Sequence, residues 1–293
     1  MLRPNLAELA TKQNGAFTWQ QALLEYTRSE IETLVRNGRW LRIFRGVYRE
    51  LDHPETLPLR IEAARLSLNA PYVVACRETA AQLYGFGVVD SPKLHLLTPS
   101  VRVSRTGLVV HRDAFADATN VRGVMATSPP RTAVDLARTL HRLDALATLD
   151  RAIRWGIPRS YLLAELPQHA HKPGLLQATK LIPLANGLSE SPMESRTRLR
   201  CIDAGLPHPE PQLEIWADGT LRRVDLGWRE YRIALEYESG THHSGAAATT
   251  RDNARHNWLI NQGWTVFYAT ATQVYRSPEE FTEPIRRAMQ LRV

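Results

Sequence analysis

The sequence predicts an α+β protein in three segments, and three observations carry that prediction. Residues 1–52 hold two closely spaced helix starts followed by a short pair of strands. Residues 53–189 mix helical periodicity with short apolar runs, as a mixed α/β segment would. Residues 190–293 show one capped helix, three strands, a helix, a strand and a last helix. That α-β-β-β-α-β-α order implies a mixed sheet flanked by helices.

In residues 1–52, Leu6, Leu9 and Ala10 give a first helix its apolar stripe, ended near Asn14-Gly15. Thr18 followed by Gln21 opens a second helix through Tyr26, and Thr27 followed by Glu30 opens a third. Both are capping boxes, in which the hydroxyl and the long polar side chain satisfy each other's backbone N–H groups. Ile31, Leu34 and Val35 form the inward face of the third helix, and Asn37-Gly38 stops it. The run Trp40 to Arg49 reads as two short strands around a turn. Helices followed by a hairpin is the winged helix-turn-helix order. The outward positions of the third helix are Arg28, Ser29, Glu32, Thr33 and Arg36, with Arg39, Arg42 and Arg45 on the hairpin. Arginine and small hydroxyl residues suit phosphates and base edges, so double-stranded DNA is the expected partner. The alternative for this segment is a protein-binding module, since Glu30 and Glu32 repel phosphate.

In the middle segment, helices are expected at Leu57–Leu68, Glu78–Tyr84, Arg131–Leu140 and Leu143–Trp155, with strands at Leu94–Thr98 and Gly107–His111. His169 and His171 fall in a loop bounded by Pro and Gly and are expected to face solvent.

The last segment carries the chemistry. A helix starts at Ser191-Pro192 and runs to Asp203; strands follow at Pro211–Trp216, Leu221–Leu226 and Tyr231–Glu238. A Gly/Ser/Thr-rich loop, a helix from Arg251 to Gln262, a strand at Trp264–Ala269 and a helix from Pro278 to Leu291 complete it. Strand alternation puts Ala234, Glu236 and Glu238 on one face. Asp225, at the end of the preceding strand, is then placed beside Glu236, and Glu194 arrives from the helix. Converging carboxylates need a cation. Mg²⁺ or Mn²⁺ held by Asp225, Glu236 and Glu238 is one answer. Ion pairing with Arg222, Arg223, Arg232 or Arg255 is the other. His242 and His243 follow the acidic strand, as candidates to activate water. Arg251 and Arg255, one helical turn apart, are candidates to hold a phosphate.

Composition bounds the function classes. Of 293 residues 43% are hydrophobic, enough to bury cores and to exclude a disordered chain. No apolar stretch approaches the ~18 residues of a membrane helix. No signal-peptide pattern follows Met1, and two cysteines cannot make a disulfide framework or a thiolate zinc site. A cytoplasmic protein without a membrane partner is expected. The net charge of +7 divides as +2, +6 and −1 over the three segments, so the basic surplus lies away from the carboxylates.

The run from Ser189 to Arg196, with Asp203-Ala204-Gly205-Leu206-Pro207, Arg223-Val224-Asp225-Leu226, Glu236-Tyr237-Glu238, His242 and Gly263-Trp264, resembles a large actinobacterial family. Its C-terminal domain is similar to the very-short-patch-repair endonucleases of the PD-(D/E)XK superfamily. The N-terminal half, with Arg45-Gly46-Val47-Tyr48 and the run from Thr127 to Ala137, resembles the AbiEi-type antitoxins of type IV toxin–antitoxin systems. The resemblance implies a restriction-endonuclease-like sheet, with Asp225 at the metal-binding aspartate position. It places Glu236 at the second acidic position and Glu194 at the helix glutamate. Glu238 stands where the superfamily usually has lysine, and no lysine follows Lys180. Two functions follow: a Mg²⁺-dependent phosphodiester hydrolase, or a non-catalytic DNA-binding antitoxin that represses its own operon and meets a cognate toxin.

Overall fold

Local signals that the sequence carries organise the first forty residues. The computed structural model describes residues 1–99, 106–113, 118–238 and 246–292, with 246–253 described by backbone alone. The chain divides into two compact units, Met1–Thr132 and Ala133–Val293, in a mixed α+β arrangement.

The first unit opens with α1 (Pro4–Lys12), β1 (Phe17–Thr18), α2 (Trp19–Ala22), α3 (Arg28–Arg36), β2 (Trp40–Phe44) and β3 (Val47–Glu50). Both predicted capping boxes form, at Thr18/Gln21 and Thr27/Glu30. The second helix is only one turn long. Leu24 and Glu25 close onto Gln21 and Ala22 by tight i→i+3 bonds, which ends α2 before Tyr26. Tyr26 instead turns into the core, edge-on to Trp40 and beside Phe17, Ile31 and Tyr48. The three short strands pair antiparallel in the order β1-β3-β2.

Then follow α4 (Leu57–Leu68), β4 (Val74–Ala75), α5 (Arg77–Tyr84), β5 (Leu94–Leu97), β6 (Leu108–His111), β7 (Ala118–Val121) and β8 (Val124–Thr127), and α6 (Pro129–Thr139) runs on into the second unit. The five strands form a mixed sheet ordered β6-β5-β4-β8-β7, packed by Ile61, Ala64 and Leu68 of α4 and Ala80 and Leu83 of α5. β4, β7 and β8 were outside the sequence expectation; two to four residues give too little periodicity to read.

The second unit adds α7 (Arg142–Trp155), α8 (Arg159–Glu165), α9 (Leu175–Leu181) and α10 (Pro192–Asp203). It continues with β9 (Glu210–Ala217), β10 (Thr220–Trp228), β11 (Ile233–Glu238), α11 (Ala246–Asn261), β12 (Thr265–Thr270), α12 (Ala271–Arg276) and α13 (Glu279–Gln290). Its sheet, ordered β12-β11-β10-β9, is mixed as expected: β11 and β12 run parallel, the others antiparallel. One apolar cluster, with Leu226, Leu235 and Phe281, packs α10, α12 and α13; another, with Leu213, Val224 and Ala234, packs Leu259 of α11.

His169 corrects the sequence reading. It is 1% exposed, with Nε2 3.0 Å from Glu165 and Nδ1 3.5 Å from Asp135, while His171 is exposed. The short helices around it, absent from the expectation, fold the loop inward.

α10 is fixed to α7 by charge. Asp150 is buried and accepts from Arg198 Nη2 at 2.7 Å, from the Asn186 N–H at 2.8 Å and from the Ser195 hydroxyl. Burial pushes its carboxyl above the usual range, opposed by Arg198. Asp144 binds Arg196 at 2.8 Å nearly two turns nearer the start of α7. Removing one partner of a buried pair strands the other charge, at a cost of about 3–5 kcal/mol. Arg198→Ala is therefore expected to lose about that much in urea unfolding. Replacing both, Asp150→Leu with Arg198→Met, is expected to cost far less.

Candidate functional site

On α3 the apolar positions point inward and leave a polar row outside. Ile31 is fully buried and Leu34 and Val35 half-buried, while Arg28, Ser29, Glu32, Thr33 and Arg36 are exposed. Arg39, Arg42 and Arg45, from the turn after α3 through β2 to the β2–β3 turn, are exposed too. The acidic residues that would repel phosphate are already compensated. Glu30 is committed to the capping box and to Arg3 at 2.6 Å; its bonds to Thr27 hold its carboxyl below the usual range. Glu32 pairs with Arg28 at 3.2 Å. Arg36, Arg39, Arg42 and Arg45 have no carboxylate partner among the described residues. This row is the first candidate surface, and it contains each of the first-unit positions expected to meet DNA.

The second candidate is the acidic site of the second unit. Pairing of β10 with β9 and β11 lapses at Asp225, opposite Gln212, whose φ of +54° is left-handed. Val224 and Leu226 consequently join different apolar clusters, which strict alternation would forbid. Freed from the ladder, the Asp225 carboxylate accepts the Tyr237 N–H at 2.8 Å. Glu236 lies on the same side, beneath α11, where Arg255 donates to its Oε1 and also to the Arg223 carbonyl at 2.7 Å. Burial first, and Asp225 second, push the Glu236 carboxyl up to about 7. Burial likewise raises Asp225, reinforced by the charges of Glu194 and Glu190.

The carboxylates expected to meet are thus brought together in part. Asp225 and Glu236 are neighbours. Glu194 contributes charge, but its carboxylate is occupied by the Glu190 N–H at 2.8 Å and Gln212 Nε2 at 2.6 Å. Glu238 is exposed at the end of β11. His242 and His243 lie outside the described residues, as does the side chain of Arg251. Among the described residues no group of three His, Cys, Asp or Glu side chains is placed to hold a metal ion. At Glu236 the countercharge that Mg²⁺ would supply comes from Arg255, one of the arginines anticipated as an ion-pair partner. Each of these three carboxylates has a partner within the protein: the Tyr237 N–H for Asp225, Arg255 for Glu236, and the Glu190 N–H with Gln212 for Glu194. Gln212 was not anticipated, because its role depends on a lapse in pairing that carries no sequence mark.

Residues 73–171 match the AbiEi antitoxin C-terminal domain. Two proteins of Mycobacterium tuberculosis, the uncharacterized proteins MT2308 of strain CDC 1551 and Rv2248 of strain H37Rv, are each 39% identical over 264 residues. Each match covers 89% of this chain and 96% of the relative. The crystal structure of the Mycobacterium tuberculosis protein RV2827C is similar at a TM-score of 0.46 and 13% identity, covering 73% of this chain and 88% of that one. No helix among the described residues is long and apolar enough to cross a membrane.

Glu236 gives a signed pH dependence. Its folded-state value lies above the ordinary 4.5, so between about 4.5 and 7 the folded protein holds a proton that the unfolded chain releases. The stability it contributes is complete below 4.5 and is lost as pH rises through about 7. Glu236→Gln should flatten the fall of melting temperature across that window, measured in buffer containing a chelator.

Proposed function

We propose, because the chain belongs to the family of the Mycobacterium tuberculosis proteins Rv2248 and MT2308 and carries an AbiEi antitoxin C-terminal domain at residues 73–171, that it is a DNA-binding regulator of the antitoxin type. The observation that carries this reading is the exposed arginine row on α3 and the strands after it, with its two glutamates already neutralised. In this reading residues 1–52 act as a winged helix-turn-helix. α3 enters the major groove of double-stranded DNA, where Arg28, Ser29 and Thr33 meet bases or phosphates. Arg36, Arg42 and Arg45 grip the flanking backbone, which supplies affinity without sequence information. The AbiEi-type domain supports a cognate toxin protein as the second partner.

The restriction-endonuclease-like reading of residues 190–293 then describes a scaffold. Asp225 and Glu236 are held by a backbone N–H and a guanidinium, and DNA binding does not require them.

DNA binding through arginine releases counterions, so affinity falls with salt in proportion to the phosphates contacted. Fluorescence anisotropy with a duplex from upstream of the protein's own gene is expected to show tighter binding than a scrambled duplex. Arg36→Ala and Arg42→Ala should each lower the slope of log affinity against log salt by about 1. Asp225→Ala should leave that binding unchanged. Equal binding to both duplexes, or a salt slope untouched by the arginine changes, would sink the regulator reading. Loss of a Mg²⁺-dependent DNA cleavage on Asp225→Ala would restore the hydrolase.

A further inference from the structure

Two histidines meet at the edge of the first unit's five-stranded sheet. β6 is the last strand of that sheet and pairs with β5 alone, in parallel, from Leu94↔Leu108 to Leu97↔His111. His95 of β5 and His111 of β6 bring Nδ1 and Nε2 to 2.9 Å, with ring centroids 5.1 Å apart. Neither belongs to the arginine row of α3 or to the acidic site of the second unit.

That spacing fits one proton between the two nitrogens. One ring donates and the other accepts, which a neutral pair or a singly protonated pair can do. Two imidazoliums cannot, because every ring nitrogen then carries a hydrogen and two N–H groups face each other. Two positive charges would also share one site, and a like charge that close disfavours the second ionisation.

The surrounding groups answer one charge and not two. On α5, Glu78 places Oε2 3.2 Å from His95 Nδ1, and that oxygen is buried without a hydrogen bond among the described residues. Arg77 at the start of α5 and Lys93 just before β5 bring positive charge to the same ring. The buried Cys76, just after β4, adjoins His95 and donates its N–H to the His95 carbonyl at 3.0 Å. Burial holds the His95 imidazole below its ordinary 6.5; Glu78 opposes this, and Arg77 and Lys93 reinforce it.

β6 is the element able to yield. Its four residues are held by one neighbour, whereas β5 is paired on both sides. Local opening is easiest where few backbone bonds must break together.

We propose that acid releases β6 from β5: once both His95 and His111 are protonated, their repulsion opens the sheet edge at Leu108–His111. The opened strand accepts at the ordinary 6.5 the proton that the closed pair refuses. Opening is therefore favoured as pH falls below that value and is not driven above it.

Amide hydrogen exchange of the full chain, read by mass spectrometry at about pH 7.5 and about pH 5.5 and corrected for the intrinsic rate, tests it. Protection of Leu108–His111 is expected to fall about tenfold at the lower pH, while β9 and β10 keep theirs. His95→Gln and His111→Gln should each abolish that fall, because a neutral amide replaces one of the two charges. Equal protection of β6 at both pH values would overturn the inference. So would a loss shared by β9 and β10, which marks general acid unfolding, or a loss that persists in both variants. Should a variant fail to fold, the wild-type comparison of β6 with β9 and β10 decides alone.

Discussion

Two carboxylates on α7 meet two guanidiniums on α10, and the second unit is arranged around that contact. Asp150 with Arg198 and Asp144 with Arg196 fix α10 against a helix far from it in sequence. The cost of desolvating these charges is recovered only if the pairing is complete. Here Asp150 is close to complete, with an N–H, a hydroxyl and a guanidinium on it. Everything chemical in the unit then depends on where α10 lies. Its first turn carries Glu194, which adds charge at Asp225 and holds Gln212, the residue opposite the lapse in pairing. Its leading segment, with Ser189, closes one side of a cavity beside α7.

Local chemistry was legible in the sequence, and long-range pairing was not. Thr18, Thr27 and Ser191 each announce a helix start within four residues, and all three accept the expected backbone N–H. The apolar spacing of Ile31, Leu34 and Val35 correctly assigned the faces of α3, because a helix of that length has one period to obey. Nothing comparable marks β4, whose two residues become a strand only by pairing with β5 and with the distant β8. His169 illustrates the same limit. Its neighbours in sequence suggest a loop, whereas its burial comes from Glu165 and from Asp135 across the helical layer.

The acidic site was legible to the same depth. Period-two alternation and an antiparallel neighbour suffice to bring Asp225 near Glu236, and the register Leu226 to Leu235 delivers it. Which cation answers them is set by a different element. α11 returns across the sheet to feed the parallel strand β12, and its packing through Leu259 carries Arg255 over Glu236. Alternation within a strand holds no information about that crossover.

Arg255 also decides how firmly the site is committed. A countercharge on a lone flexible stem yields readily to a competing metal, but Arg255 is tied twice, to Glu236 and to the Arg223 carbonyl. Both bonds leave Nη2, so one guanidinium nitrogen ties a carboxylate and a backbone carbonyl together. Displacing it would strand a carbonyl as well as a guanidinium, while Asp225 already spends one oxygen on the Tyr237 N–H. The positive charge at the acidic pair is fixed by backbone as well as by charge, whereas Arg36, Arg39, Arg42 and Arg45, which have no carboxylate partner among the described residues, are the ones left to meet an anionic partner.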